Sequence, residues 1–182
     1  MHGALGAALY FFERLPNKSA EKALNKILDG LVTLAVELPE GITWREYHLT
    51  AAERDDSKTF YNLGTAHGLP GIISVLTMFS EAGIKKTISN KVLRKSIDWL
   101  LSKKNDPSKI AVFPYSIAPH EPDNDKESRL AWCYGDLGAS YCIFKAGEAT
   151  GNEKWKKEAI EIALKTTKRR DPLDNKKLDA AI

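Results

Sequence analysis

The chain has 182 residues, 43% of them hydrophobic and 28% charged, with a formal net charge of +3. These are the proportions of one globular domain with room for a real core, and they exclude disordered, collagen-like and low-complexity classes. A small charge spread along the chain leaves no footprint for nucleic acid or an anionic membrane, two cysteines make no disulfide framework, and no apolar run approaches the roughly 18–20 residues that span a bilayer.

The first element is the apolar run GALGAALYFF, from Gly3 to Phe12. It has the length of a signal-peptide core. No basic segment precedes it, however, and Glu13-Arg14-Leu15-Pro16 follows where a small-residue cleavage site would stand. It reads as a buried helix of a reduced, cytoplasmic protein. Residues 20–38 follow as an amphipathic helix, with Ala20, Leu24, Ile27, Leu28, Leu31 and Ala35 on one stripe and Lys, Glu, Asp and Asn opposite. Ser19 is the expected N-cap, and Pro39 and Gly41 the expected stop. The same pair of segments then recurs. Residues 69–79 are apolar nearly all round and residues 88–103 amphipathic. Residues 137–146 and 152–168 repeat the alternation.

A Gly-x-x-Gly pair opens each all-round apolar segment: Gly3/Gly6, Gly68/Gly71 and Gly135/Gly138. The spacing is 65 residues from Gly3 to Gly68 and 67 from Gly68 to Gly135. One such pair signals nothing, but three at near-constant spacing make a repeat, with units near 2–66, 67–133 and 134–182. Helices apolar on all sides must be surrounded by protein. The expected architecture is therefore all-α: inner helix, outer helix, long loop, three times over, as in a solenoid or a closed α/α toroid. Pro70 suits a first helical turn, and the glycines suit tight turns and close backbone approach. Short hairpins are expected within 42–49 and 110–117. The loops 39–66 and 104–131 are each nearly thirty residues long. Connections beyond about 12–15 residues are uncommon and often functional, and both loops arrive at inner-helix N-termini, where the site is expected.

Three clusters stand at that end: Thr65-Ala66-His67, Arg129 through Tyr134, and His2. The aligned glycine pairs give His2, His67 and Tyr134 equivalent places, just before the first glycine. Taken singly these residues have ordinary roles. A histidine there caps a helix, Cys133 is a small hydrophobe, Trp132 and Tyr134 pack, and Arg129 follows a solvated acidic loop. Cys142, nine residues beyond Cys133, lies on the opposite side of a regular helix and reads as core. P-loop, dinucleotide, His-Glu-x-x-His, Cys-x-x-Cys and Gly-x-Ser-x-Gly signatures are missing, and no carboxylate pair marks glycosidase chemistry.

Gly64-Thr65-Ala66-His67-Gly68-Leu69-Pro70-Gly71 and Trp132-Cys133-Tyr134-Gly135-Asp136-Leu137-Gly138 resemble the two signatures of the lanthionine synthetase C-like (LanC-like) cyclases, over almost the whole chain. The resemblance implies an (α/α) toroid, here a partial arc of about three inner/outer helix pairs, around a zinc site. It implies a reaction in which a peptide cysteine thiol adds to dehydroalanine or dehydrobutyrine to close a thioether ring. It makes Cys133 a zinc ligand, His67 an acid/base near the metal, Arg129 an active-site arginine and Tyr134 an active-site tyrosine. It implies as partners a ribosomally made, dehydrated precursor peptide, a dehydratase and a transporter.

Two departures qualify that expectation. The family's adjacent Cys-His ligand pair does not occur, and its aspartate upstream of the first glycine pair would precede Met1. Both ends read as cut within the site, as in a fragment or split gene product. One cysteine does not make a zinc site, so this chain alone is expected to bind zinc weakly, to close no rings, and to self-associate through exposed hairpin edges. Competing expectations are a non-catalytic LanC-like peptide- or thiol-binding protein, another α/α-toroid enzyme acting on carbohydrate, and a helical scaffold.

Overall fold

A computed structural model describes residues 3–46, 59–119 and 127–169. The expected position of His2 lies outside the described residues. Among the described residues six helices follow one another: α1 (Ala4–Phe12), α2 (Lys18–Leu34), α3 (Leu69–Glu81), α4 (Lys86–Ser102), α5 (Asp136–Thr150) and α6 (Glu153–Thr166). Four short strands accompany them: β1 (Val36–Leu38), β2 (Gly41–Thr43), β3 (Tyr61–Asn62) and β4 (Ser116–Ile117). Each odd helix packs on the even helix that follows it, and α3 packs on both α1 and α5. The odd helices thus form an inner layer and the even helices an outer one.

The core lies between the layers. Ile73, Leu76 and Phe79 of α3 meet Leu93, Ile97, Trp99 and Leu100 of α4, all essentially inaccessible to water. The middle inner helix fulfils the expectation of burial on every side: α3 buries ten of its 13 residues. Its neighbours do not. Only Ala8 of α1 is buried, and on α5 Leu137 and Tyr141 are 40% and 63% exposed. Among the described residues these two helices have an inner neighbour on one side only.

Helix ends differ from the sequence expectation where a local competitor wins. Asn17, not Ser19, caps α2: its side-chain oxygen accepts from the Ser19 N–H at 2.8 Å and the Ala20 N–H at 3.3 Å. The α2 helix stops at Leu34, ahead of Pro39, because residues 36–38 enter an antiparallel hairpin with Gly41–Thr43. That hairpin docks on α4. Gly41 has φ 147° and sits where a Cβ would lie 2.1 Å from the Lys95 carbonyl oxygen, so only glycine fits. The Trp44 indole donates to the Leu31 carbonyl at 2.9 Å, satisfying one of the acceptors left open at the helix end.

In their described residues the segments 42–49 and 110–117 find strand partners outside themselves, where internal hairpins were expected. The first of these segments pairs backward with β1; its residues 47–49 lie outside the described part. The second supplies β4, which pairs with β3 from the other long loop. This β3–β4 ladder places both loops side by side in front of the inner helices. Pro70 falls in the first turn of α3, as expected.

Candidate functional site

The four glycines at the entrances of α3 and α5 solve one steric problem in the same way. A Cβ on Gly68 would lie 2.2 Å from the Asn62 carbonyl oxygen, and one on Gly71 would lie 2.3 Å from that of Thr65. On Gly135 it would lie 2.0 Å from the Arg129 carbonyl oxygen, and on Gly138 2.0 Å from that of Trp132. Each glycine therefore meets the carbonyl six residues upstream. The incoming loop doubles back across the first helical turn, a close approach that a side chain would block. Used twice, this geometry makes Ala66 equivalent to Cys133, His67 to Tyr134 and Asn62 to Arg129.

The two entrances are joined through the backbone, since Ala66 N–H donates to the Cys133 carbonyl at 3.2 Å. The Tyr134 ring is the hub. It lies against Gly64, where a Cβ would come within 2.3 Å of its Cδ1. The Tyr115 ring stacks on it, with centroids 4.7 Å apart. The His67 ring lies 6.2 Å away, and the Arg129 guanidinium carbon stands 5.5 Å from the ring centroid. Arg129 Nη2 reaches to 3.9 Å from the Cys133 Sγ. His67 is exposed, while Arg129, Cys133, Tyr134 and Tyr115 are half-buried. The sequence-predicted set thus comes together on one surface, although His67 and Arg129 are more than sixty residues apart in the chain.

The acidic loop before Arg129 lies almost wholly outside the described residues, and Arg129 itself turns to Tyr134 and Cys133. One single-residue expectation changes. Trp132 does not pack inside but is 63% exposed beside the thiol. Cys142 is core, as expected: it is 1% exposed, and burial pushes its thiol up to about 12.

Tyr115, Asp136 and Arg169 complete the surroundings. Burial raises the Tyr115 phenol above its ordinary value, and the neighbouring Tyr134 phenol adds to the effect. Asp136, the first residue of α5, is fully buried. It accepts from the Val112 and Phe113 N–H groups at 2.9 Å each, and Arg169 Nη2 lies 3.1 Å away. Burial raises the Asp136 carboxyl, against the opposing pull of those hydrogen bonds and of Arg169. Arg169 also donates from Nε to the Ile110 carbonyl and from Nη1 to that of Ser128. One buried pair therefore fastens the last outer helix, the loop bearing Tyr115 and the segment bearing Arg129. Neither Tyr115 nor Arg169 was discernible in the sequence, because a lone tyrosine in a loop and an arginine after a helix carry no spacing signal.

Zinc is the metal that the motifs imply, and such a site takes three or four protein ligands. Among the described residues, no three His, Cys, Asp or Glu side chains come together to hold a metal. The side chain beside the Cys133 sulfur is a cation, Arg129, which is no ligand. The described residues do not fit a complete zinc centre.

Hairpins in two layers with glycine-opened inner helices define a protein of the helical-toroid class, in which His67, Arg129, Cys133 and Tyr134 gather at the entrances of α3 and α5. A sequence model of the lanthionine synthetase C-like proteins matches residues 1–178, and the chain belongs to that family. Among solved structures it is similar to nisin cyclase, with a TM-score of 0.70 over 92% of this chain and 20% sequence identity. At that identity the likeness shows the shared fold. The match takes in 43% of the nisin cyclase chain, so this chain spans less than half the length of that relative. Among the described residues no helix is long and apolar enough to cross a membrane.

Proposed function

We propose that this chain furnishes one wall of a lanthionine-forming site, where a dehydrated, ribosomally made peptide lies across the entrances of α3 and α5. One observation carries the reading: His67, Arg129, Cys133 and Tyr134, from two distant motifs, meet around one ring. Thioether formation makes a bond from sulfur to the β-carbon of the dehydroamino acid and breaks the thiol S–H bond. The displaced electron pair passes to the carbonyl oxygen as an enolate, and a proton is delivered to Cα. The Arg129 guanidinium and the Tyr134 hydroxyl are donors of the kind that stabilise such an oxyanion. His67 stands exposed at the rim, and an imidazole exchanges protons readily at neutral pH. In this reading Cys133 is the sulfur ligand that the chain offers to zinc.

The test uses a dehydrated peptide bearing one free cysteine, compared with its unmodified precursor. Binding is read from tryptophan emission, with Trp132→Phe to assign the exposed reporter. The wild-type chain is expected to bind the dehydrated peptide more tightly, and His67→Ala and Arg129→Ala to weaken that preference. Ring closure leaves mass unchanged, so it is read as loss of a thiol that a maleimide can alkylate. For the chain alone, no closure above background and weak zinc uptake in equilibrium dialysis are expected. Equal affinity for both peptides would overturn the reading, and one tightly held zinc per chain would overturn the expectation for the metal.

A further inference from the structure

Tyr115 is fixed from both sides of the site. Its carbonyl accepts from the Leu63 N–H at 3.3 Å, and the next two residues pair with Tyr61 and Asn62 in the β3–β4 ladder. This side ties it to the run-in to α3. Just upstream, the Val112 and Phe113 N–H groups are held by Asp136 of α5. The backbone under Tyr115 thus spans the two inner helices that carry the motifs. Its ring stacks on Tyr134 at 4.7 Å, with 22° between the planes. Gly64 borders the same ring, at the contact where a Cβ would fall 2.3 Å from Cδ1. The Tyr134 ring in turn lies 5.5 Å from the guanidinium of Arg129, whose Nη2 reaches Cys133.

We propose that Tyr115 is a positioning residue of this site: with Gly64 it holds the Tyr134 ring, and through that ring it keeps the Arg129 cation beside the Cys133 sulfur. The purpose of the arrangement rests on the cyclase reading above. The arrangement itself is tested without any cyclisation. The stack contributes more than bulk, because offset aromatic pairs prefer a defined separation and tilt that an aliphatic side chain does not impose.

The test alkylates Cys133 in the full chain with iodoacetate and with iodoacetamide, and takes the ratio of the two rates. In either reaction a carbon–sulfur bond forms, iodide leaves and the thiol proton passes to solvent. Cys142 is buried and adds no signal. A cation about 4 Å from the sulfur favours the anionic reagent by about threefold to fivefold in a water-like dielectric. Arg129→Gln sets the ratio without that cation. Tyr115→Ala is expected to lower the ratio most of the way to the Arg129→Gln value, while Tyr115→Phe, which keeps the ring, stays near wild type. Tyr115→Leu fills the space without a stacking ring and is expected to fall like the alanine variant; it decides the matter if that variant does not fold. A wild-type ratio in Tyr115→Leu, an equal drop in Tyr115→Phe, or no response to Arg129→Gln would overturn the proposal. Loss of peptide discrimination in the wild type would sink the cyclase reading and leave this ratio unaffected.

Discussion

Removing the Asp136 carboxylate tests how the site is held together. Asp136→Ala takes the acceptor from two backbone N–H groups and the counter-charge from a guanidinium whose side chain is 2% exposed. Leaving one partner of a buried ion pair uncompensated costs about 3–5 kcal/mol. Each buried donor left unpaired adds about 1–3 kcal/mol, although water entering the space left by the carboxylate recovers part of that. An overall loss of about 4 kcal/mol is expected, against a total stability of roughly 5–15 kcal/mol for a domain. With a urea slope of about 1–3 kcal/mol/M, the midpoint should fall by more than about 1 M. Combining the change with Arg169→Met removes the stranded charge. The double variant is therefore expected to be more stable than Asp136→Ala alone, because the penalty belongs to breaking the pair more than to lacking it. A loss under about 1 kcal/mol for Asp136→Ala, or a double variant as unstable as the sum of the singles, would refute the reasoning.

Glycine substitutions should divide by what the missing Cβ would meet. Gly138→Ala and Gly135→Ala, each driven into a carbonyl at 2.0 Å, should cost more than about 2 kcal/mol by thermal unfolding. Gly30→Ala, inside α2 with nothing within 4 Å, should instead stabilise by about 0.5–1 kcal/mol. In the native chain a disulfide reagent should titrate one thiol, Cys133. Cys142, with its thiol pushed up to about 12, should stay silent from pH 7 to 10 and react only after unfolding, because the thiolate is the nucleophile. Leu137, Tyr141, Ile160 and Leu164 expose large apolar side chains on α5 and α6, so light scattering should show self-association at high concentration; Tyr141→Lys with Leu164→Lys should reduce it, and a clean monomer in the wild type would contradict the expectation.

The helices were legible in the sequence because their periodicity is a direct image of burial. The all-round apolar segment at 69–79 becomes the enclosed α3, and the stripe through Leu24, Leu28 and Leu31 becomes the buried face of α2. The His67, Arg129, Cys133 and Tyr134 set was legible because glycine pairs fix where a turn must lie, and residues next to a fixed turn share its location. What could not be read depends on partners far along the chain. The α2 helix ends early because its following hairpin is drawn onto α4, a contact made through Gly41 and invisible in any local window. Tyr115 joins the site because β3 pairs with β4 across two loops. Asp136 fastens loops, a role that only its three partners reveal.

The repeat also explains how one scaffold position takes two different tasks. At the α3 entrance the position six residues before the first glycine is Asn62, and at α5 it is Arg129; both present their carbonyls to a glycine in the same way. The backbone job is common, so the side chain is free to diverge. Asn62 turns its amide inward, accepting from the Gly64 N–H at 2.7 Å and donating to Glu46 at 2.6 Å, which locks the loop in which Gly64 lies. Arg129 sends its guanidinium toward Tyr134 and Cys133. One copy of the turn thus builds the surface against which Tyr134 rests, and the other supplies the groups that surround it. The two are interdependent: replacing Asn62 with leucine, similar in bulk but without an acceptor or donor, should disturb Tyr134 although the two residues stand in different repeats. Tyrosine ring resonances in an NMR spectrum should show the Tyr134 signal shifting in Asn62→Leu with the fold retained. An unmoved signal would mean that the two entrances are built independently.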